Sequence, residues 1–263
     1  MKLRARQRPG KIIFVTGTDT GIGKTIFTGL LLHHLRTSGV HALAMKPFCS
    51  GGRADVRLLR AMQDGELNED EINPFYFPEP VAPLVSARQH KHAISLVEVV
   101  RRIKTIAARC ECLLVEGSGG LLVPLGERFL VADLIQELDC EVVVISRNRL
   151  GTINHTLLTV NTLKRDFGVK KIAVALMETG RKDASMETNG RILDELLGSI
   201  RLFCFEFLGK NANKIKVLKE SHKKVKKTLA RFCGSDILVT FFTTKTVNNK
   251  LLTVGAMRVK LDA

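Results

Sequence analysis

Nine consecutive residues constrain this chain more than any other stretch: Gly17-Thr18-Asp19-Thr20-Gly21-Ile22-Gly23-Lys24-Thr25. An apolar, β-branched run at 12–16 precedes them. The segment that follows, 25–36, carries Ile26, Leu30, Leu31 and Leu35 at helical spacing. A glycine-rich turn between a buried strand and a helix lets backbone N–H groups face phosphate oxygens, and the helix start adds its positive end. Thr20, Gly21, Ile22 and Gly23 form the cradle, Lys24 is placed to reach the β- and γ-phosphates, and the Thr25 hydroxyl to ligate Mg²⁺. Five residues separate Gly17 from Gly23-Lys24 where the usual pattern has four, so the loop is a variant. Lys24 is read as a solvent-facing position whose removal spares the fold.

The rest of the chain alternates strands and helices. Strand-like runs fall at 40–45, 112–115, 141–145 and 171–176, and helical spacing at 54–62, 95–108, 130–138 and 152–167. Residues 65–83 are polar, hold four prolines and read as loop. Alternation at this spacing predicts an α/β fold, a parallel sheet covered by helices on both faces with right-handed crossovers. In such a sheet ligands bind beyond the carboxyl ends of the strands. Glu116 sits there, between an apolar strand and Gly117-Ser118-Gly119-Gly120, and Asp55 follows the strand that carries Lys46. A magnesium site needs carboxylates beside a hydroxyl, and these two acids are the candidates.

Composition narrows the class. With 263 residues and 45% hydrophobic, the chain can bury a continuous core. No apolar run approaches the ~20 residues that span a bilayer, and the basic start leads into a run too short for a secretory signal. The six cysteines lack paired spacing; a reducing cytoplasm with free thiols is expected, with Cys110 exposed beside a buried Cys112 rather than the two holding a metal. The net charge of +15 is uneven: residues 201–263 hold 14 Lys and Arg against 4 Asp and Glu. This tail is read as a solvated helix face rather than a nucleic-acid or membrane contact. The expected division is a synthetase-like domain at 1–200 and a divergent basic segment at 201–263, packed on the same domain.

Five groups of motifs in order resemble the dethiobiotin synthetases of the P-loop NTPase superfamily: Thr16-Gly17-Thr18-Asp19-Thr20 with Gly23-Lys24-Thr25, Lys46-Pro47 with Ser50-Gly51, Asn73-Pro74 with Glu79-Pro80, Glu116-Gly117-Ser118-Gly119-Gly120 with Pro124-Leu125, and Leu150-Gly151-Thr152-Ile153-Asn154-His155. The resemblance covers about two-thirds of the chain. It implies an ATP- and Mg²⁺-dependent closure of the ureido ring of 7,8-diaminopelargonate with CO₂, through a carbamate and a carbamic–phosphoric anhydride, in biotin biosynthesis. It implies Lys24 and Lys46 as the catalytic cations. Thr20 to Thr25, Glu116, Gly117 and Gly119 would hold nucleotide, and Thr25, Asp55 and Glu116 the metal. Thr20 and Ser50 would meet the carbamate and phosphate. Gly151, Thr152, Ile153 and Asn154 would hold the substrate's carboxylate tail at a homodimer interface.

Two regions depart from that pattern. The Asn expected to read adenine after the strand at 171–176 is replaced by Met177-Glu178, which predicts relaxed base selectivity. After residue 201 the family pattern survives only as Phe207-Leu208-Gly209. The alternative is a nucleotide-dependent switch or nucleic-acid-binding ATPase of the same superfold that has lost synthetase activity. A partitioning ATPase would carry an extra Lys near the loop's start, where Thr18-Asp19-Thr20 stands.

Overall fold

The computed structural model describes residues 10–181 and 183–234. The first half contains β1 (Lys11–Gly17), α1 (Lys24–Thr37), β2 (Ala42–Met45), β3 (Phe48–Ser50), α2 (Ala54–Met62), α3 (Glu69–Ile72), β4 (Phe75–Phe77), α4 (Pro83–Gln89) and α5 (Leu96–Ala107). The second half contains β5 (Cys112–Glu116), β6 (Pro124–Gly126), β7 (Phe129–Leu130), α6 (Val131–Leu138), β8 (Glu141–Arg147), α7 (Thr152–Arg165), β9 (Ile172–Met177), α8 (Met186–Leu197), β10 (Arg201–Phe205) and α9 (Ile215–Cys233).

Six strands make one sheet in the order β10-β9-β8-β1-β5-β2, every neighbouring pair parallel. Strands buried on both faces need side chains that tolerate no water, and β5 and β9 are buried along their whole length. β1 lies between β5 and β8, with Val15 opposite Glu116 on one side and Val143 on the other. The chain builds β2 and β5 on one flank of β1 and β8 to β10 on the other. The carboxyl end of β1 is therefore the switch point where a crevice opens, and the glycine loop leaves the sheet there.

The segment 65–83 is not all loop. Asn68 caps α3 in a capping box with Glu71, and β4 pairs in parallel with β3, stacking Phe75 on Phe48 at 4.9 Å. The four prolines obscured both elements, although Asn68-x-x-Glu71 is itself a helix-start signal. Cys110 is also buried, at 9% exposed, against the expectation of an exposed thiol.

Beyond residue 200 the fold continues. β10 extends the sheet beside β9, and α9 lies against α1. α9 turns Leu218, Val225, Leu229 and Phe232 inward, while its lysines point out. Phe232 meets Phe27 and Phe203 edge-on at 5.6 and 5.2 Å. The alternation of lysines with apolar residues is thus an amphipathic helix over the core. Residues 235–263, the remainder of the basic segment, and 1–9 lie outside the described residues.

Where α1 meets α9, His34 Nδ1 and His222 Nε2 are 3.0 Å apart, with the His33 ring edge-on to His222. One ring must donate and the other accept, so the accepting ring at least must be neutral, and protonating both breaks the contact. Burial, then His33, His34 and Lys226, push His222 down to about 4; burial and Lys226 also lower His34. Burial and Lys219 lower His33, opposed by Asp64. Folded values below the ordinary 6.5 mean stabilisation that is present above pH 6.5 and is lost as pH falls towards about 4. Thermal melts should therefore show a larger drop in Tm between about pH 7.5 and about pH 5 for wild type than for His222→Gln. Equal drops would contradict the neutral pair.

Candidate active site

The glycine loop is shaped from inside and outside. Thr18 N–H donates to the Ile145 carbonyl of β8 at 3.0 Å, tying the loop's start to the sheet. Ile22 is buried beneath the loop against Gly17, where any side chain would strike it. Gly21 and Gly23 adopt φ of 68° and 105°, the left-handed region that glycine enters without strain. The first turn of α1 carries no acidic residue and no side-chain cap, so its backbone donors and positive end are left for an anion.

Two lysines face this loop in opposite electrostatic settings. Lys24 is 6% exposed, not solvent-facing, and its ammonium donates to the carbonyls of Asp19 and Gly119 at 2.8 Å each. Carbonyl dipoles compensate a buried charge only partly. Burial lowers its pKa to about 8, helped by repulsion from Lys46 and opposed by Glu116. Lys46 lies at the end of β2 and donates to Glu116 Oε1 at 2.9 Å and to Asp55 Oδ2. Burial opposes its charge too, but the two carboxylates outweigh it and hold its pKa above the ordinary lysine range.

Glu116 joins these parts. It is 1% exposed at the end of β5, and its Oε1 also accepts from the Thr25 hydroxyl at 2.6 Å. Its other oxygen, Oε2, is buried without a protein partner. A hydroxyl, a carboxylate with a free oxygen and the half-exposed Asp55 are hard oxygen donors of the kind magnesium takes. Among the described residues no three His, Cys, Asp or Glu side chains cluster as a metal site, so this set suits an ion that takes its remaining ligands from phosphate and water.

Thr20, Gly21, Gly23, Lys24, Thr25, Lys46, Ser50, Asp55, Glu116 and Gly119 line one cavity of about 820 Å³. Ile22 supports that cavity from below, and Gly117 packs on Phe14. Gly151, Thr152, Ile153 and Asn154 stand outside the cavity of their own chain, at the start of α7, where Thr152 is tied to Ser146 at 2.7 Å. Pro80, quoted above within a motif, also lines the cavity with Cys49, Asn213 and, along its rim, Val81, Ala82 and Pro83, which sequence reasoning missed as site residues. The paired prolines were a usable signal for the rim; Asn213 had none. Glu178 is exposed just past β9, its N–H donating to the Phe205 carbonyl at 2.9 Å.

Comparison with known proteins agrees with this geometry. A family described as an AAA domain matches residues 11–208. An ATP-dependent dethiobiotin synthetase of Bacillus licheniformis is 39% identical over 194 residues, covering 72% of this chain and 82% of that protein. One from Methanococcus vannielii is 41% identical over 154 residues, covering 59% and 73%. Among solved structures, the cell-division protein complex MinC:MinD of Aquifex aeolicus overlays with a TM-score of 0.58 at 13% identity, covering 87% of this chain and 98% of that one. That likeness concerns the fold alone. The loop, the Glu116 cluster and the identity across most of the relatives' length place this chain in the dethiobiotin synthetase family.

Proposed function

We propose that the chain is an ATP-dependent dethiobiotin synthetase that closes the ureido ring of 7,8-diaminopelargonate with CO₂, producing dethiobiotin, ADP and phosphate. The observation that carries this reading is the placement of Lys24, Lys46, Thr25 and Glu116 around one cavity at the end of β1, in a chain 39% identical to a named synthetase.

The chemistry has a charge problem. One substrate amine adds to CO₂ and loses a proton, giving an anionic carbamate. A carbamate oxygen attacks the γ-phosphorus and ADP leaves, forming a carbamic–phosphoric anhydride. The second amine then attacks the anhydride carbon, the ring closes, and phosphate departs. Two anions must meet, so catalysis is mainly positioning and neutralisation. Lys24 exchanges its carbonyl partners for the β- and γ-phosphates. Lys46, kept charged by Glu116 and Asp55, faces the carbamate and the transferred phosphoryl group. Thr20 and Ser50 orient the reacting oxygens from the cavity wall. Thr25, Asp55 and Glu116 would hold Mg²⁺, which when bound neutralises phosphate charge.

Gly151 to Asn154 lie outside their own chain's cavity, which supports a homodimer in which a second copy supplies them to the substrate's carboxylate tail. The reading is tested by incubating the purified chain with diaminopelargonate, bicarbonate, ATP and Mg²⁺. Dethiobiotin should accumulate, and its absence from a folded, nucleotide-binding preparation would refute the assignment.

Lys24 supplies a pH signature. With its pKa at about 8 in the free protein, the ammonium that grips phosphate is lost above that pH, and bound phosphate restores it. The Kd for ATP should therefore rise above about pH 8, approaching tenfold per unit, while Lys24→Arg should flatten the dependence. Parallel profiles for the two proteins would overturn the role. The base should be weakly read, because Glu178 stands where an amide was expected. GTP should support turnover within about tenfold of ATP, and a rate about a thousandfold lower would show that the base is still discriminated.

A further inference from the structure

The sheet stops one residue short of Lys46. The last pair of the β2–β5 ladder is Met45 with Val115, and Pro47 offers no N–H to continue it. Both backbone groups of Lys46 therefore need partners elsewhere. They find them in one place: Lys46 N–H donates to the Ile72 carbonyl at 2.9 Å, and the Lys46 carbonyl accepts from Asn73 Nδ2 at 3.0 Å. The same amide nitrogen reaches the Pro47 carbonyl at 3.1 Å and the Phe75 carbonyl at 3.4 Å. Asn73 is 1% exposed, so these bonds form away from water.

Asn73 is itself held. Its own N–H closes α3 on the Glu69 carbonyl at 2.8 Å. α3 is fixed at its start by the Asn68–Glu71 capping box and tied outward by Arg53 to Asp70 and by Arg109 to Glu71. Downstream, Phe75 N–H donates to the Pro47 carbonyl at 3.0 Å and β4 runs beside β3 as far as Ser50. The segment from α3 to β4 is a strap that takes over from the sheet at the point where the lysine leaves it. The far end of the Lys46 side chain is equally confined, between Asp55 and Glu116, in a side chain only 10% exposed.

We propose that Asn73 is a positioning residue for Lys46: its side-chain amide fixes the Lys46 and Pro47 carbonyls, and so aims the Lys46 ammonium at the carboxylates of Glu116 and Asp55. Asn73 is not among the residues that line the cavity, and it acts through Lys46 rather than on the reacting atoms. The proposal rests on the reading of Lys46 as the cation that meets carbamate and phosphate, because the consequence for turnover follows only if that holds.

Two measurements on Asn73→Ala separate the claims. In the first, the protein is briefly treated with acetic anhydride and acetylation of each lysine is quantified by peptide mass spectrometry. Loss of the clamp should release Lys46 from its carboxylates and raise its labelling several-fold, on the order of a tenfold change, with surface lysines of α9 unchanged. In the second, kcat for dethiobiotin formation should fall about 10- to 100-fold, with KM for ATP within about threefold because the Lys24 loop is intact. Asn73→Leu, of similar volume but without the donors, carries the same comparison where the alanine variant does not fold. Unchanged Lys46 labelling in a folded variant overturns the proposal. Raised labelling with unchanged kcat supports the positioning and refutes the catalytic reading of Lys46.

Discussion

The site depends on one buried carboxylate. Glu116 stands at the end of a strand that is apolar to its last residue, at 1% exposure, where an unpaired charge would be expensive. It is paid for by Lys46 and Thr25, which converge on the same oxygen at 2.9 and 2.6 Å. Those three groups come from the residue after β2, from α1 and from β5, so forming the cluster fixes the sheet's edge and the phosphate-loop helix relative to one another. Removing Lys46 leaves the buried Glu116 charge without its cation, which is the costliest of the three losses.

The two lysines show how one cavity holds like charges without losing either. Lys46 is matched by two carboxylates and stays charged as pH rises. Lys24 hydrogen-bonds to the carbonyls of Asp19 and Gly119, and the more distant Glu116 only partly offsets the burial that lowers its pKa to about 8. The first is a cation held charged between Asp55 and Glu116 at the cavity wall. The second is a cation whose pKa of about 8 lets an anion in the loop raise its proton affinity, which would couple anion binding to protonation at alkaline pH.

Much of this was legible in the sequence because the loop's chemistry is local. Gly21, Gly23, Lys24 and Thr25 act within a few residues of one another, and the strand–turn–helix around them is encoded by apolar runs. Glu116 stood out because a carboxylate between Val115 and Gly117 contradicts its surroundings. Lys24 was misjudged as solvent-facing, since burial there is imposed by Gly119, far away in sequence. α3 and β4 were hidden among prolines, and their role, holding the backbone of Lys46, is a tertiary contact with no periodicity. The lysines of α9 were legible as a solvated helix face; the inward stripe of Leu218, Val225, Leu229 and Phe232 opposite them was not. Gly151 to Asn154 carried a motif, but a single chain does not bring it to the cavity.

The central claim is that this cluster brings a carbamate oxygen onto the γ-phosphorus, and oxygen tracing tests it directly. The purified chain would be supplied with diaminopelargonate, ATP, Mg²⁺ and CO₂ labelled with heavy oxygen, and the released phosphate analysed by mass spectrometry before the label exchanges with water. Attack by the carbamate, followed by ring closure, transfers one labelled oxygen into each phosphate formed together with dethiobiotin. Phosphate whose one newly acquired oxygen comes unlabelled from solvent, released without dethiobiotin, would mean simple nucleotide hydrolysis and would contradict the account.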